Sequence, residues 1–117
     1  MAKMLLILND PPYGTERSYN GIRLALGPVK APDVELRVLL LADAVGCARV
    51  GQRCPDGYYN LERMLRSIVA KGAGVGACGS CLDARGIAEA DPIEGVDHSS
   101  MAELTEWTLR ADKVLSF

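Results

Sequence analysis

Apolar residues along the chain follow two alternating patterns. Short and almost wholly apolar runs lie at residues 3–9 and 37–41, and a similar run ends the chain at residues 113–117. Such runs are typical of parallel strands that are covered on both faces. Two weaker candidates are residues 75–77, which form either a strand or a buried loop, and residues 95–98, which form a brief fifth strand.

Between these runs the apolar positions change to helical spacing. A first helix has one apolar face and ends at Gly27. Asn60 is the predicted N-cap of a second helix, and Gly72 fits the position just after its end. Ser100 and Glu103 form a capping box, in which each side chain bonds the backbone amide of the other, before a third helix. The third helix has a stripe at helical spacing: Met101, Leu104, Thr108 and Ala111.

The alternation of strands and helices indicates βαβ units. We therefore predict one α/β domain over residues 1–117, with three layers: a mainly parallel sheet of four or five strands and helices on both faces. In such sheets, ligands bind beyond the carboxyl ends of the strands. Three segments are expected to meet at that edge, namely residues 9–14, 42–59 and 78–81.

Composition and charge narrow the class of protein. An apolar content of 49% with 24% charged residues excludes a disordered chain. Thirteen basic and fifteen acidic residues leave a net charge of -2, which argues against nucleic-acid binding. The longest apolar runs have five residues, too few to cross a membrane or to form the core of a signal peptide. We therefore expect a cytoplasmic protein that binds neither nucleic acid nor membranes.

The four cysteines are Cys47, Cys54, Cys78 and Cys81, and in the cytoplasm they are expected to be thiols. For the first two, the favoured interpretation is a buried Cys47 on a short helix and a solvent-facing Cys54. The alternative places both beside Cys78 as second sulfur carriers or metal ligands.

The glycine-rich segment around the last two cysteines is the most informative. Cys78 directly follows a candidate strand, Cys81 lies three residues later, and a short helix over residues 81–85 is expected to stop at Gly86. A thiol at a helix start faces free amides and the positive end of the helix dipole, which lower its pKa from about 8.5. Arg85 adds a nearby positive charge. This pattern indicates a reactive cysteine.

From the residues alone, four interpretations of this CxxC pair stay open. The two cysteines are small buried hydrophobic residues, or a redox dithiol of the thioredoxin kind, although that fold places its pair after the first strand. They are part of a zinc site with Cys47 and Cys54, which would need four ligands in a tetrahedron. The fourth interpretation is nucleophilic sulfur chemistry at Cys78.

The run from Cys78 to Gly86, CGSCLDARG, resembles the CGTC-x-x-ARG signature of the DsrE/DsrF-like sulfur-relay family, which includes YchN-type proteins. The resemblance extends along most of the chain. Four further segments carry it: the apolar first strand, residues 57–61 before a helix, residues 95–104, and the ending at residues 111–117.

The resemblance implies a three-layer domain that assembles as a homotrimer or homohexamer. Sulfur-relay members take a sulfane sulfur onto a cysteine as a persulfide and pass it to a partner protein. The family's cysteine, seven residues before the arginine of the RG pair, falls on Cys78. Cys81 is then a resolving thiol or a local hydrogen-bond donor. The backbone amides of Gly79, Ser80 and Cys81 are expected to hold the anionic persulfide, and Arg85 is either a further anion holder or a salt-bridge residue. No cofactor or metal is implied.

These observations predict a cytoplasmic sulfur-handling protein that accepts sulfane sulfur on Cys78 and passes it to a partner thiol. Its expected partners are a sulfur donor protein and an acceptor protein. Whether it acts as a sulfurtransferase or as a sulfur carrier stays open. Two alternatives remain: a non-enzymatic oligomeric binding or assembly module, with or without a cysteine-ligated metal, and a dithiol oxidoreductase that uses Cys78 and Cys81.

Overall fold

The structure is a computed structural model that describes residues 1–88 and 91–117. Strands and helices alternate along these residues, with bounds β1 (Ala2–Leu8), α1 (Arg17–Ala25), β2 (Val34–Leu40), α2 (Leu61–Ala70), β3 (Gly74–Cys78), α3 (Gly79–Ala84), β4 (Val96–Ser99), α4 (Met101–Arg110) and β5 (Lys113–Ser116). Short 3-10 segments lie at Pro28–Lys30 and Ala42–Ala48. Among the described helices, none has the length and apolar character needed to cross a membrane.

The five strands form one sheet in the order β4-β3-β2-β1-β5, and every pair is parallel. The chain moves from β1 outwards to β4 and then returns across the sheet to β5 on the other side of β1. Because such crossovers are right-handed, α1, α2 and α3 lie on one face and α4 lies on the other. The predicted α/β fold is confirmed, and both weak strand candidates are strands.

The main core fills the space between the sheet and the first three helices. Alternate residues of β1 and β2, such as Leu6 and Leu40, point to this face and are fully buried. They pack in one cluster with apolar residues of the helices: Ile22, Leu61, Leu65, Ile68 and Leu82. Burying each of these side chains contributes about 1.5–3 kcal/mol. This layer therefore fixes the carboxyl ends of β2 and β3 relative to each other.

The opposite face of the sheet has a thinner cover. Leu5 and Leu39 are buried there, and the indole ring of Trp107 on α4 lies 5.0 Å from the guanidinium carbon of Arg37. No residue of α4 is buried, however, and Met101 is 64% exposed. The stripe predicted on this helix is therefore left largely uncovered by its own chain.

The helix ends test the capping predictions. The Asn60 side chain accepts a hydrogen bond from the Arg63 amide at 3.0 Å, and Gly72 has a φ of 101°, so both predicted ends of α2 are confirmed. The Ser100 hydroxyl accepts from the Glu103 amide at 3.2 Å, as predicted. The predicted hydrogen bond from the Ser100 amide to the Glu103 side chain is wrong, because the Glu103 carboxylate accepts from the Ser99 hydroxyl instead, at 2.8 Å.

Candidate functional site

The candidate site lies where β3 passes into α3. Cys78 is the last residue of the strand and the N-cap of the helix, which begins at Gly79, two residues earlier than predicted. Cys78 is paired with Ser99 of β4 in the sheet. A Cβ atom at Gly79 would lie 3.4 Å from the carbonyl oxygen of Ser99, so the turn passes close to the end of β4. The short helix and its stop at Gly86, with a φ of 64°, are confirmed.

Burial and hydrogen bonding act in opposite directions on the pKa of the Cys78 thiol. The residue is 8% exposed, and its Sγ lies 3.3 Å from the Oγ of Ser80. Burial is the largest influence on the pKa of Cys78 and raises it. Hydrogen bonds from the Cys81 thiol, the Ser80 hydroxyl and the backbone amides of both residues together outweigh burial, so the pKa of Cys78 is lowered. The site therefore favours a thiolate at Cys78.

Cys81 has the opposite tendency. Its hydrogen bond to Cys78 raises the pKa of Cys81, and burial raises it further. Cys81 is more exposed than Cys78, and its sulfur accepts a hydrogen bond from the amide of Ala42 at 3.3 Å. At neutral pH the pair therefore divides its roles, with Cys78 as the better anion and Cys81 as the protonated neighbour.

Arg85 joins α3 to the segment that follows β2. Its Nε and Nη2 atoms both lie 2.9 Å from a carboxylate oxygen of Asp43, and its Nη1 donates to the carbonyl of Cys81 at 3.1 Å. The Asp43 carboxylate therefore ties the segment after β2 to the end of α3. The guanidinium of Arg85 is engaged in these contacts, and its role in holding a persulfide stays a prediction, as do those of Gly79 and Ser80.

The neighbouring residue Ala42 has a left-handed backbone, with a φ of 50°. Within residues 1–88 and 91–117 it is the one residue other than glycine with a positive φ. Its amide is the donor to the Cys81 sulfur. Spacing and periodicity carry no signal for it, because the contact joins residues 39 positions apart.

Comparison with known proteins assigns the family. The model of the DsrE/DsrF-like family matches residues 2–117. The chain belongs to this family. YchN from Escherichia coli is 39% identical over 118 residues, which cover all of both chains. An uncharacterised protein from Methanopyrus kandleri is 37% identical over 96% of this chain and 91% of its own.

Solved structures agree with the family assignment. The crystal structure of YchN from Escherichia coli matches this DsrE/DsrF-like chain with a TM-score of 0.93 at 38% identity over the full length of both chains. A protein of unknown function from Methanobacterium thermoautotrophicum has a TM-score of 0.77 at 17% identity and shows the shared fold. The resemblance predicted from residues 78–86 is thereby confirmed.

The other two cysteines of this DsrE/DsrF-like chain lie in separate surroundings. Cys47 is fully buried, as favoured, and burial raises the pKa of its thiol to about 12. Cys54 is half-buried rather than open to solvent, and its thiol donates to the Tyr13 hydroxyl at 3.2 Å. In the part of the chain that the structure describes, no three His, Cys, Asp or Glu residues gather as metal ligands. The four cysteines therefore do not assemble the zinc site considered from the sequence.

Sequence reasoning missed the polar residue that fixes the loop before α2. The side-chain amide of Gln52 donates to the carbonyls of Cys47 and Arg49 at 2.9 Å, and its oxygen accepts from the Tyr13 hydroxyl at 2.6 Å. Tyr13 stacks on Tyr59, with ring centroids 6.1 Å apart. These contacts bring residues 9–14 and 42–59 together at the predicted edge of the sheet.

Proposed function

We propose that this DsrE/DsrF-like protein is a sulfur carrier that accepts a sulfane sulfur on Cys78 as a persulfide and passes it to a partner thiol. The observation that carries the proposal is the Cys78 sulfur at the start of α3, surrounded by hydrogen-bond donors that favour its anion. Membership of the DsrE/DsrF-like family supports it.

Loading begins with the Cys78 thiolate, because thiolates are the nucleophiles in sulfur exchange. It attacks the outer sulfur of a donor such as an inorganic polysulfide, and the sulfur–sulfur bond of the donor breaks as the shortened anion leaves. The product is Cys78–S–S⁻. Its negative charge lies beside the Ser80 hydroxyl, which is 3.3 Å from the Cys78 sulfur before loading.

Delivery is the same exchange in the other direction. The thiolate of an acceptor attacks the outer sulfur, and Cys78 departs as the leaving group. A thiol with a lowered pKa leaves faster, so the hydrogen bonds that favour loading also favour delivery. Because Cys78 is 8% exposed, the proposal favours a slim donor or an extended cysteine side chain of a partner.

Intact-mass measurement tests the proposal. Reduced protein is incubated with inorganic polysulfide and desalted, and a gain of about 32 Da per sulfur is expected on the peptide that contains Cys78. Cys78→Ser is expected to abolish this gain. Cys54→Ser is the matched control, because Cys54 lies in the separate Tyr13 network, and it is expected to load normally. Absence of the adduct both from folded, reduced protein and from folded Cys81→Ser would overturn the proposal.

We also propose that the chain assembles into a homotrimer or homohexamer. Leu109 on α4 is 82% exposed, and Val114 and Leu115 are exposed on the edge strand β5. An edge strand and a helix that both expose apolar side chains are typical of surfaces that contact another copy of the chain. Size-exclusion chromatography with light scattering is expected to give three or six times the mass of the chain. A monomer at micromolar concentration would contradict the proposal.

A further inference from the structure

The two thiols of the CxxC pair are arranged to react with each other. Cys78 and Cys81 are the N-cap and the third residue of α3, positions whose side chains face one another at a helix start. Each thiol also shifts the pKa of the other, since Cys81 lowers the pKa of Cys78 and Cys78 raises that of Cys81. A disulfide joins Cα atoms about 4.4–6.8 Å apart, and residues three apart on a helical turn meet this requirement.

The surroundings of Cys81 suit a sulfur that becomes an anion during a reaction. The amide of Ala42 donates to the Cys81 sulfur at 3.3 Å, which stabilises a thiolate more than a thiol. Arg85 holds this geometry by binding both Asp43 and the carbonyl of Cys81. A residue that served only to donate a hydrogen bond to Cys78 would not need an amide donor on its own sulfur.

We propose that Cys81 resolves the Cys78 persulfide, releasing hydrosulfide and closing a Cys78–Cys81 disulfide. The inference rests on the sulfur-carrier function proposed above. The Cys81 sulfur attacks the inner sulfur of Cys78–S–S⁻, the bond to the outer sulfur breaks, and the proton of Cys81 leaves with it as HS⁻. The outer sulfur is reduced to sulfide, and the two cysteines are oxidised to a disulfide.

The difference in exposure between Cys78 and Cys81 determines how their disulfide is reduced. An external thiolate attacks the more exposed sulfur of Cys81, and Cys78, which has the lowered pKa, is the leaving group. One dithiol, or two equivalents of a monothiol, completes the reduction. In the absence of an acceptor, the persulfide sulfur is therefore released as sulfide. The site accepts no further sulfur until a thiol reduces the Cys78–Cys81 disulfide.

The test compares how long the adduct lasts. Reduced unsubstituted protein, Cys81→Ser and the control Cys54→Ser are loaded with inorganic polysulfide, desalted without oxygen, and followed by intact mass and by assay of free sulfide. The unsubstituted protein and Cys54→Ser are expected to lose the adduct at least tenfold faster than Cys81→Ser. Each lost adduct is expected to yield one sulfide and a peptide pair linked between Cys78 and Cys81.

The outcomes separate the two proposals. If the adduct lasts as long in the unsubstituted protein as in Cys81→Ser, or if sulfide appears without the disulfide, the resolving role of Cys81 is overturned and the sulfur carrier stands. If Cys81→Ser, shown by circular dichroism to be folded, takes up no sulfur, the carrier function fails and the resolving step fails with it. Cys81→Ala repeats the comparison with a side chain that cannot donate a hydrogen bond.

Discussion

Alkaline pH is expected to destabilise the protein through the buried thiol of Cys47. Burial raises the pKa of Cys47 to about 12 in the folded state, from 9.0 for an unperturbed thiol. Above pH 9.0 the unfolded chain loses this proton while the folded chain retains it. The contribution of Cys47 to stability is therefore complete below the unfolded pKa and is lost as the pH rises towards the folded pKa.

The size of the effect follows from the gap between the two pKa values. Each pH unit above the unfolded pKa lowers the free energy of unfolding by about 1.4 kcal/mol. About 1.5 units above that pKa, near pH 10.5, the loss is about 2 kcal/mol. Total stabilities of about 5–15 kcal/mol are usual, so one thiol removes a substantial share.

Urea unfolding in the presence of a reductant, compared between the unsubstituted protein and Cys47→Ala, isolates this thiol. At neutral pH the variant is expected to be less stable by about 1 kcal/mol, because one buried heavy atom is lost. Near pH 10.5 Cys47→Ala is expected to be more stable than the unsubstituted protein by about 1 kcal/mol, since the variant has no thiol to ionise at this position. Tyr13, whose pKa burial also raises to about 12, is common to both proteins. Parallel stability curves across this range would refute the reasoning.

Three further predictions concern α2 and the CxxC pair. Asn60→Ala removes the side chain that caps the Arg63 amide and is expected to lower the free energy of urea unfolding by about 1 kcal/mol; an unchanged midpoint would contradict the cap. Ala42→Gly relieves a left-handed alanine and is expected to raise that free energy by about 0.5–1 kcal/mol, whereas a loss would show that the conformation is unstrained. The alkylation rate of Cys78, followed by peptide mass, is expected to reach half its maximum below pH 9.0, and a midpoint at or above this pH would contradict the hydrogen-bonded anion.

Local signals in the sequence were sufficient for most of the fold. Three examples depend on only a few adjacent residues: the apolar run of β1, the cap at Asn60 and the stop at Gly72. Each can therefore be predicted from the sequence. The partner of Glu103 was predicted wrongly although Ser99 lies only four residues away, because the capping-box pattern pairs Glu103 with the Ser100 amide and not with the Ser99 hydroxyl. The exposed stripe of α4 is a similar case, since periodicity shows an apolar face and not what covers it.

The site was predictable to the same extent. The spacing of Cys78 and Cys81 is local, and it led to the correct end of β3. The donor to Cys81 was not predictable, because it is a backbone amide from a residue 39 positions earlier, and backbone groups have no sequence signature. The contacts of Gln52 likewise arise only when three loop carbonyls converge on one side chain.

The backbone of Ala42 connects these observations. A left-handed alanine is unfavourable by about 1–2 kcal/mol, and such strain persists only where the surroundings impose it. Here Arg85 binds the next residue, Asp43, and the Ala42 amide donates to the Cys81 sulfur. If this loop served only to connect β2 to the segment that follows, glycine at position 42 would do so without the strain. The strained residue donates its amide to the Cys81 sulfur, and the proposed resolving step requires this sulfur to become an anion. The proposal therefore assigns the loop a second role beside the connection, namely stabilising Cys81 during that step.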